Sequence, residues 1–190
     1  MRLIFVLGVV SVFAFEIVQA DDASRTSCIN KFLKYFSTFF AATQIGGYAD
    51  VGMSQVLVHA NGSKIVDAVT DAVMNNLTSS QYSQSSTLMV SAAQKFGSYE
   101  KINSTIQKCV KGAGPTLLKL YSKITNKINK ANGNSAKMAV GYKFADKKFT
   151  LKLSKKLVKK CKSKLSDDEW QKGVSLLKNY VKFETLGVKL

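Results

Sequence analysis

Apolar residues recur three and four positions apart through most of this chain, and that spacing constrains the fold more than any other feature. An α-helix advances about 100° per residue, so such spacing gathers apolar side chains on one side. Between residues 28 and 43, Cys28, Ile29, Phe32, Leu33, Tyr35, Phe36, Phe39 and Phe40 fall within an arc of about 160°. Lys31, Lys34, Ser37 and Thr38 fall opposite. Gly46-Gly47 is expected to stop that helix. A shorter helix is expected from about Asp50 to Ala60, ended by Asn61-Gly62. Ser63 can cap the next, with Ile65, Val69, Val73 and Leu77 on one face. The polar run Ser80 to Ser86 reads as a loop. Leu88, Ala92 and Phe96 mark another helix, and Ile102, Ile106 and Cys109 continue the pattern beyond a Gly97-Ser98 break.

Gly112-Ala-Gly-Pro115 is the clearest punctuation: glycine ends one helix, and proline suits the first turn of the next. Beyond it, Leu117, Tyr121, Ile124 and Ile128 share one face, and Lys119, Lys123, Lys127 and Lys130 share the other. Asn132-Gly-Asn134 closes that helix. Residues 142–154 are ambiguous. Phe149, Leu151 and Leu153 alternate with polar residues, so one short β-hairpin near 142–153 stands as an alternative to helix. From Ser154 to Leu165 the spacing is helical and dense in lysine. Ser166-Asp-Asp-Glu169 is a capping box leading into Trp170, Val174, Leu177 and Val181. The expected fold is all-α, a single compact domain of about six to eight amphipathic helices.

The 190 residues are 46% hydrophobic with one proline, which excludes disordered, collagen-like and proline-rich classes. Met1-Arg2, an uncharged apolar run from Leu3 to Phe15, and Val18-Gln-Ala20 form the pattern of a secretory signal. The run is about 13 residues, short of the roughly 20 a membrane span needs. Residues 1–20 are therefore read as a signal peptide, 21–190 as a secreted domain, with no transmembrane anchor. Secretion makes Asn61, Asn76 and Asn103, each heading an Asn-x-Ser/Thr triplet, candidate glycosylation sites. It also places Cys28, Cys109 and Cys161 in an oxidising compartment, where one internal disulfide and one leftover cysteine are expected. Spacing does not choose the pair, so a monomer and a disulfide-linked dimer both stay open.

Charge divides the chain. Residues 21–100 hold five basic and six acidic side chains; residues 101–190 hold 22 lysines and five acids. Apolar faces run through both parts, so the excess is a lysine surface on one domain, not a basic tail. So many like charges repel one another at a cost to stability. Lys119, Lys123, Lys127, Lys130, Lys155, Lys156, Lys159, Lys160, Lys162 and Lys164 are the candidate contact for a polyanion. Arg25 is the single arginine after residue 20. Bidentate reading of bases or carboxylates favours arginine, whereas lysine is a hydrated point charge suited to diffuse polyanions. The expected partners are anionic glycans, anionic lipid surfaces or an acidic extracellular protein, with no specific nucleic acid.

No catalytic set, metal site or cofactor motif is recognised. His59 is the single histidine, and near a helix end it reads as a surface or capping residue. Asp67 and Asp71 share a face opposite the apolar residues of their helix and read as solvated. Without a CxxC pair the cysteines do not suggest a metal site. Two alternatives to a non-enzymatic binding protein remain. One is a carrier whose Phe32, Tyr35, Phe36, Phe39 and Phe40 line a cavity for a small apolar ligand. The other is a membrane-active cationic protein.

Overall fold

The computed structural model describes residues 22–34, 39–148 and 150–188, so the expected signal peptide over 1–20 lies outside the described residues. Eight helices follow in order among them: α1 (Asp22–Leu33), α2 (Ala42–Leu57), α3 (Gly62–Asn75), α4 (Ser79–Phe96), α5 (Tyr99–Ile128), α6 (Asn134–Lys148), α7 (Leu151–Lys162) and α8 (Asp167–Leu177). The fold is all-α, with no strand among the described residues, and the hairpin alternative over 142–153 is replaced by helix on both sides of residue 149. Thr150 caps α7 there: its hydroxyl accepts from the Leu153 N–H at 3.3 Å.

Helix α5 is the spine. At about 1.5 Å per residue its 30 residues run roughly 45 Å. Its first half shares a core with α4, α8 and the tail: Leu88, Ala92, Phe96, Ile102, Ile106, Trp170, Val174, Val181 and Phe183 are buried together. Its second half shares another with α2, α3 and α6: Met53, Val56, Ile65, Val69, Ile124, Ile128, Met138 and Tyr142. Between the cores, Ala113 and Leu117 pack on Leu157 of α7.

The expected break at Gly112–Pro115 is absent, and α5 runs through it. An interior proline loses one backbone hydrogen bond and costs about 3 kcal/mol. Packing on both sides of Pro115 offsets this: Gly112, Ala113 and Leu117 are all buried. Gly112 is glycine for a tertiary reason, because a Cβ there would overlap the Lys160 carbonyl oxygen of α7. The first helix also differs from expectation. It ends at Leu33, and a second begins at Ala42 and passes through Gly46-Gly47 instead of stopping there. Gly46 lies where α1 crosses α2, and a Cβ on it would meet the Arg25 guanidinium at 2.6 Å.

Two further expectations change. The polar run 80–86 is the start of α4, not a loop. Thr78 and Gln81 form a capping box there, at 3.2 and 2.9 Å, and Ser85 joins Leu88, Ala92 and Phe96 on the buried face. The cap of α3 is Asn61, whose side chain accepts from the Lys64 N–H at 3.0 Å and from the Ser63 hydroxyl at 2.7 Å. The capping box at Ser166 forms as expected, with reciprocal bonds of 3.1 and 2.9 Å to Glu169.

Candidate functional site

Helix α7 presents two unlike sides. Leu157 and Cys161 are buried and Leu153 half-buried, at the four-residue spacing of one helix face. That face lies on α5, where Cys109 and Cys161 form the disulfide. Cys28, the cysteine outside the bridge, is buried on α1. The other side of α7 carries Lys155, Lys156, Lys159 and Lys162, all exposed. Lys164 just beyond is exposed too, with its stem against Gly112. Lys160 departs from expectation: it is half-buried, because it sits on the flank where its carbonyl meets Gly112. On α5 and the turn after it, Lys119, Lys123, Lys127 and Lys130 are exposed, opposite Leu117, Ile124 and Ile128.

None of these ten lysines has a carboxylate partner among the described residues. The ion pairs there are Lys31–Asp146 at 2.6 Å, Lys108–Glu169 at 2.5 Å and Lys172–Asp168 at 2.7 Å. Lys162 alone has an aromatic neighbour, the Trp170 ring at 5.7 Å. The N-terminal end of α7 makes the charge denser still. Its first turn has no acid, and Lys152 stands exposed within it. Placing cations there opposes the helix dipole. Lys152 was hidden in the sequence by the strand-like alternation around it.

Glu169, Asp146 and Asp50 are engaged elsewhere. Glu169 lies below the usual carboxylate range because Lys108 and the Ser166 N–H hydrogen-bond to it, against a smaller effect of burial. Burial pushes Asp146 up, but hydrogen bonds from Lys31 and Ser27 and the charge of Lys31 outweigh it and leave it lowered. Asp50 goes the other way. Burial at the junction of α1, α2 and α6 raises it to about 7, although Arg25 and the Tyr142 hydroxyl pull it back. Tyr142 donates to Asp50 Oδ1 at 3.5 Å. The sequence carried a faint sign of this junction: Asp50 is the one acid between Ile45 and Val58.

The remaining candidates are spread over the molecule. Asn61, Asn76 and Asn103 are all exposed, on the cap of α3, the end of α3 and the outer face of α5. His59 is exposed just past α2, with a left-handed backbone at φ 56°. Asp67 and Asp71 are exposed on α3. Of the five rings grouped as a ligand lining, the side chains of Phe32, Tyr35 and Phe36 lie outside the described residues. Phe39 and Phe40 follow α1 instead of extending it. They pack edge-to-face on each other at 4.7 Å, on Tyr180 at 5.4 Å and on Tyr48 at 5.5 Å. Among the described residues no group of histidine, cysteine and acids is placed to hold a metal, and no helix is long and apolar enough to cross a membrane.

No family model, no curated protein and no solved structure matches the chain. The reading of its function therefore rests on its own geometry and charge.

Proposed function

We propose that this is a secreted, glycosylated, non-enzymatic binding protein that docks an anionic extracellular partner through the lysines of α5 and α7. The observation that carries the reading is the missing counter-charge. Ten lysines lie on two packed helices or just past their ends, nine of them exposed, and among the described residues no carboxylate stands within ion-pair distance of any. A surface made for solubility alone mixes both signs. The ion pairs among the described residues use Asp146, Glu169 and Asp168 with other lysines and leave these ten open, which suits release of condensed counterions onto a polyanion.

The candidate glycan positions support the same arrangement. Asn61 and Asn76 lie at the two ends of α3 and Asn103 near the start of α5, so no sugar would grow from α7. The test is binding to heparin and to anionic vesicles across a salt series. The logarithm of affinity should fall linearly with the logarithm of salt concentration. Replacing Lys155, Lys156, Lys159 and Lys160 with Gln should weaken binding at least tenfold, and replacing the three Asn with Gln should change it less than twofold. A four-lysine variant that binds both as tightly as wild type overturns the proposal.

A further inference from the structure

We propose that the lysines of α5 and α7 form one continuous track for a linear sulfated glycan, an inference that rests on the polyanion reading above. The two helices run antiparallel. Cys109 bonds to Cys161, Gly112 meets the carbonyl of Lys160, and Leu117 shares an apolar cluster with Leu157. Climbing α5 therefore means descending α7. At equal rise per residue, Thr150 comes level with about residue 122 of α5. The α7 lysines thus accompany α5 from Cys109 to about residue 121, and Lys123, Lys127 and Lys130 continue beyond the start of α7.

The two rows also share a side of α5. Counted from Lys119 at about 100° per residue, Cys109, Gly112, Ala113 and Leu117, which face α7, lie at about 80°, 20°, 120° and 160°. Lys123, Lys127 and Lys130 lie at about 40°, 80° and 20°. The rows follow one another instead of lying side by side. From the level of Cys109 to that of Lys130 the track is about 32 Å long.

A bilayer fits this surface less well than a chain does. A peripheral helix holds a membrane by sinking an apolar face into the acyl boundary. Here those faces are spent: Leu153, Leu157 and Cys161 lie on α5, while Leu117, Ile124 and Ile128 are buried. Leu118 is 65% exposed but lies at about 260° on the same count, off the track. Leu151, at 38%, is one side chain. Single strands of nucleic acid are held by stacking on aromatic rings. The exposed rings Tyr82 and Tyr99 lie on α4 and the first turn of α5, also off the track. What remains is a file of point charges along two helices, which asks of its partner only anions repeated along a line. Sulfate groups on a glycan chain meet that demand without planar or bidentate contacts.

The experiment measures binding of the full secreted protein to heparin-derived oligosaccharides from tetrasaccharide to dodecasaccharide. Phosphatidylserine-containing vesicles and duplex DNA serve as the other polyanions. Affinity should rise at least tenfold with chain length until the chain spans the track, then level off. Replacing Lys119, Lys123, Lys127 and Lys130 with Gln should abolish that rise while leaving the tetrasaccharide within twofold of wild type. All four are exposed, so an unchanged thermal midpoint certifies the fold. Affinity independent of length, or an equal loss for short and long chains, overturns the track. Tighter binding to vesicles or DNA than to the long glycan overturns the choice of partner while the polyanion reading stands. Binding to none of the three overturns both.

Discussion

Two basic regions of this molecule obey opposite rules. At the corner where α1 meets α2 and α6, Lys31 reaches both the carboxylate and the backbone carbonyl of Asp146, at 2.6 and 2.8 Å, and Arg25 lies beside Asp50. On the rib made by α5 and α7, lysines outnumber every nearby acid and pair with none among the described residues. Both regions are helical and both rest on buried apolar faces. The difference is therefore not one of folding. At the corner the charges hold helices together. On the rib, apolar contacts and a covalent bond hold the helices, and the charges point away. A cation already satisfied inside the molecule has little left to offer a partner.

The contrast is broken most forcefully at the covalent bond. The disulfide closes a loop of 52 residues, and chain entropy assigns such a cross-link about 4 kcal/mol. Replacing Cys109 and Cys161 with Ser should lower stability by roughly that amount in urea unfolding, with reduced wild type behaving alike. If the rib were held by its charges, the loss would shrink at low salt and grow at high salt. It should instead be nearly independent of salt.

Gly112 tests the same contact from the other helix. A valine there must push the Lys160 backbone aside, and overpacking of this kind typically costs about 1–3 kcal/mol. The corner equivalent, Lys31→Ala, removes a half-exposed ion pair and should cost no more than about 1 kcal/mol. Thermal midpoints of the two variants order the regions directly. A lysine variant less stable than the glycine variant would reverse the comparison.

The corner also has a pH signature. Asp50 holds a proton in the fold up to about pH 7, whereas the unfolded chain releases it in the ordinary carboxylate range. Between about pH 4 and 7 the folded state thus binds the extra proton, so stability falls as pH rises. Asp146 and Glu169 act in the opposite sense. Their lowered values add stability above the carboxylate range that is lost as pH falls below about 4. Stability should peak on the mildly acidic side, and Asp50→Asn should flatten the decline toward neutral pH. A decline that persists unchanged in that variant assigns it to another group.

How much of this was legible in the sequence follows from how local each cause is. Ile65, Val69 and Val73 announce their helix, and Ser166 with Glu169 announces its start, because caps and faces are set within four residues. Gly46 and Gly112 misled because their reasons are neighbours on other helices, Arg25 and Lys160. The lysines themselves were plain, and nine of the ten are exposed as expected. That none of them pairs with an acid among the described residues was not plain. The acids that pair lie 115 positions from Lys31 and 61 from Lys108, a matter of packing alone. Nor could spacing pair the cysteines, since burial of Cys28 on α1 depends on the docking of that helix.

The smallest expected effect is the one that most sharpens the contrast. Changing Lys155, Lys156 and Lys159 to Gln removes three exposed cations from α7. Positions 155 and 159 are four apart, and like charges at that spacing repel by about 0.2–0.5 kcal/mol. Lys159 lies in the last turn, where the helix dipole favours a cation, so its loss offsets part of that gain. No ion pair among the described residues is lost in exchange. The variant should therefore be as stable as wild type or slightly more so, by less than about 1 kcal/mol, and the gain should fade as salt screens the charges. Urea midpoints at low and high salt measure it. A loss of stability would mean these lysines hold the rib together, and the distinction between bound and open charge would fail at the helix that defines it.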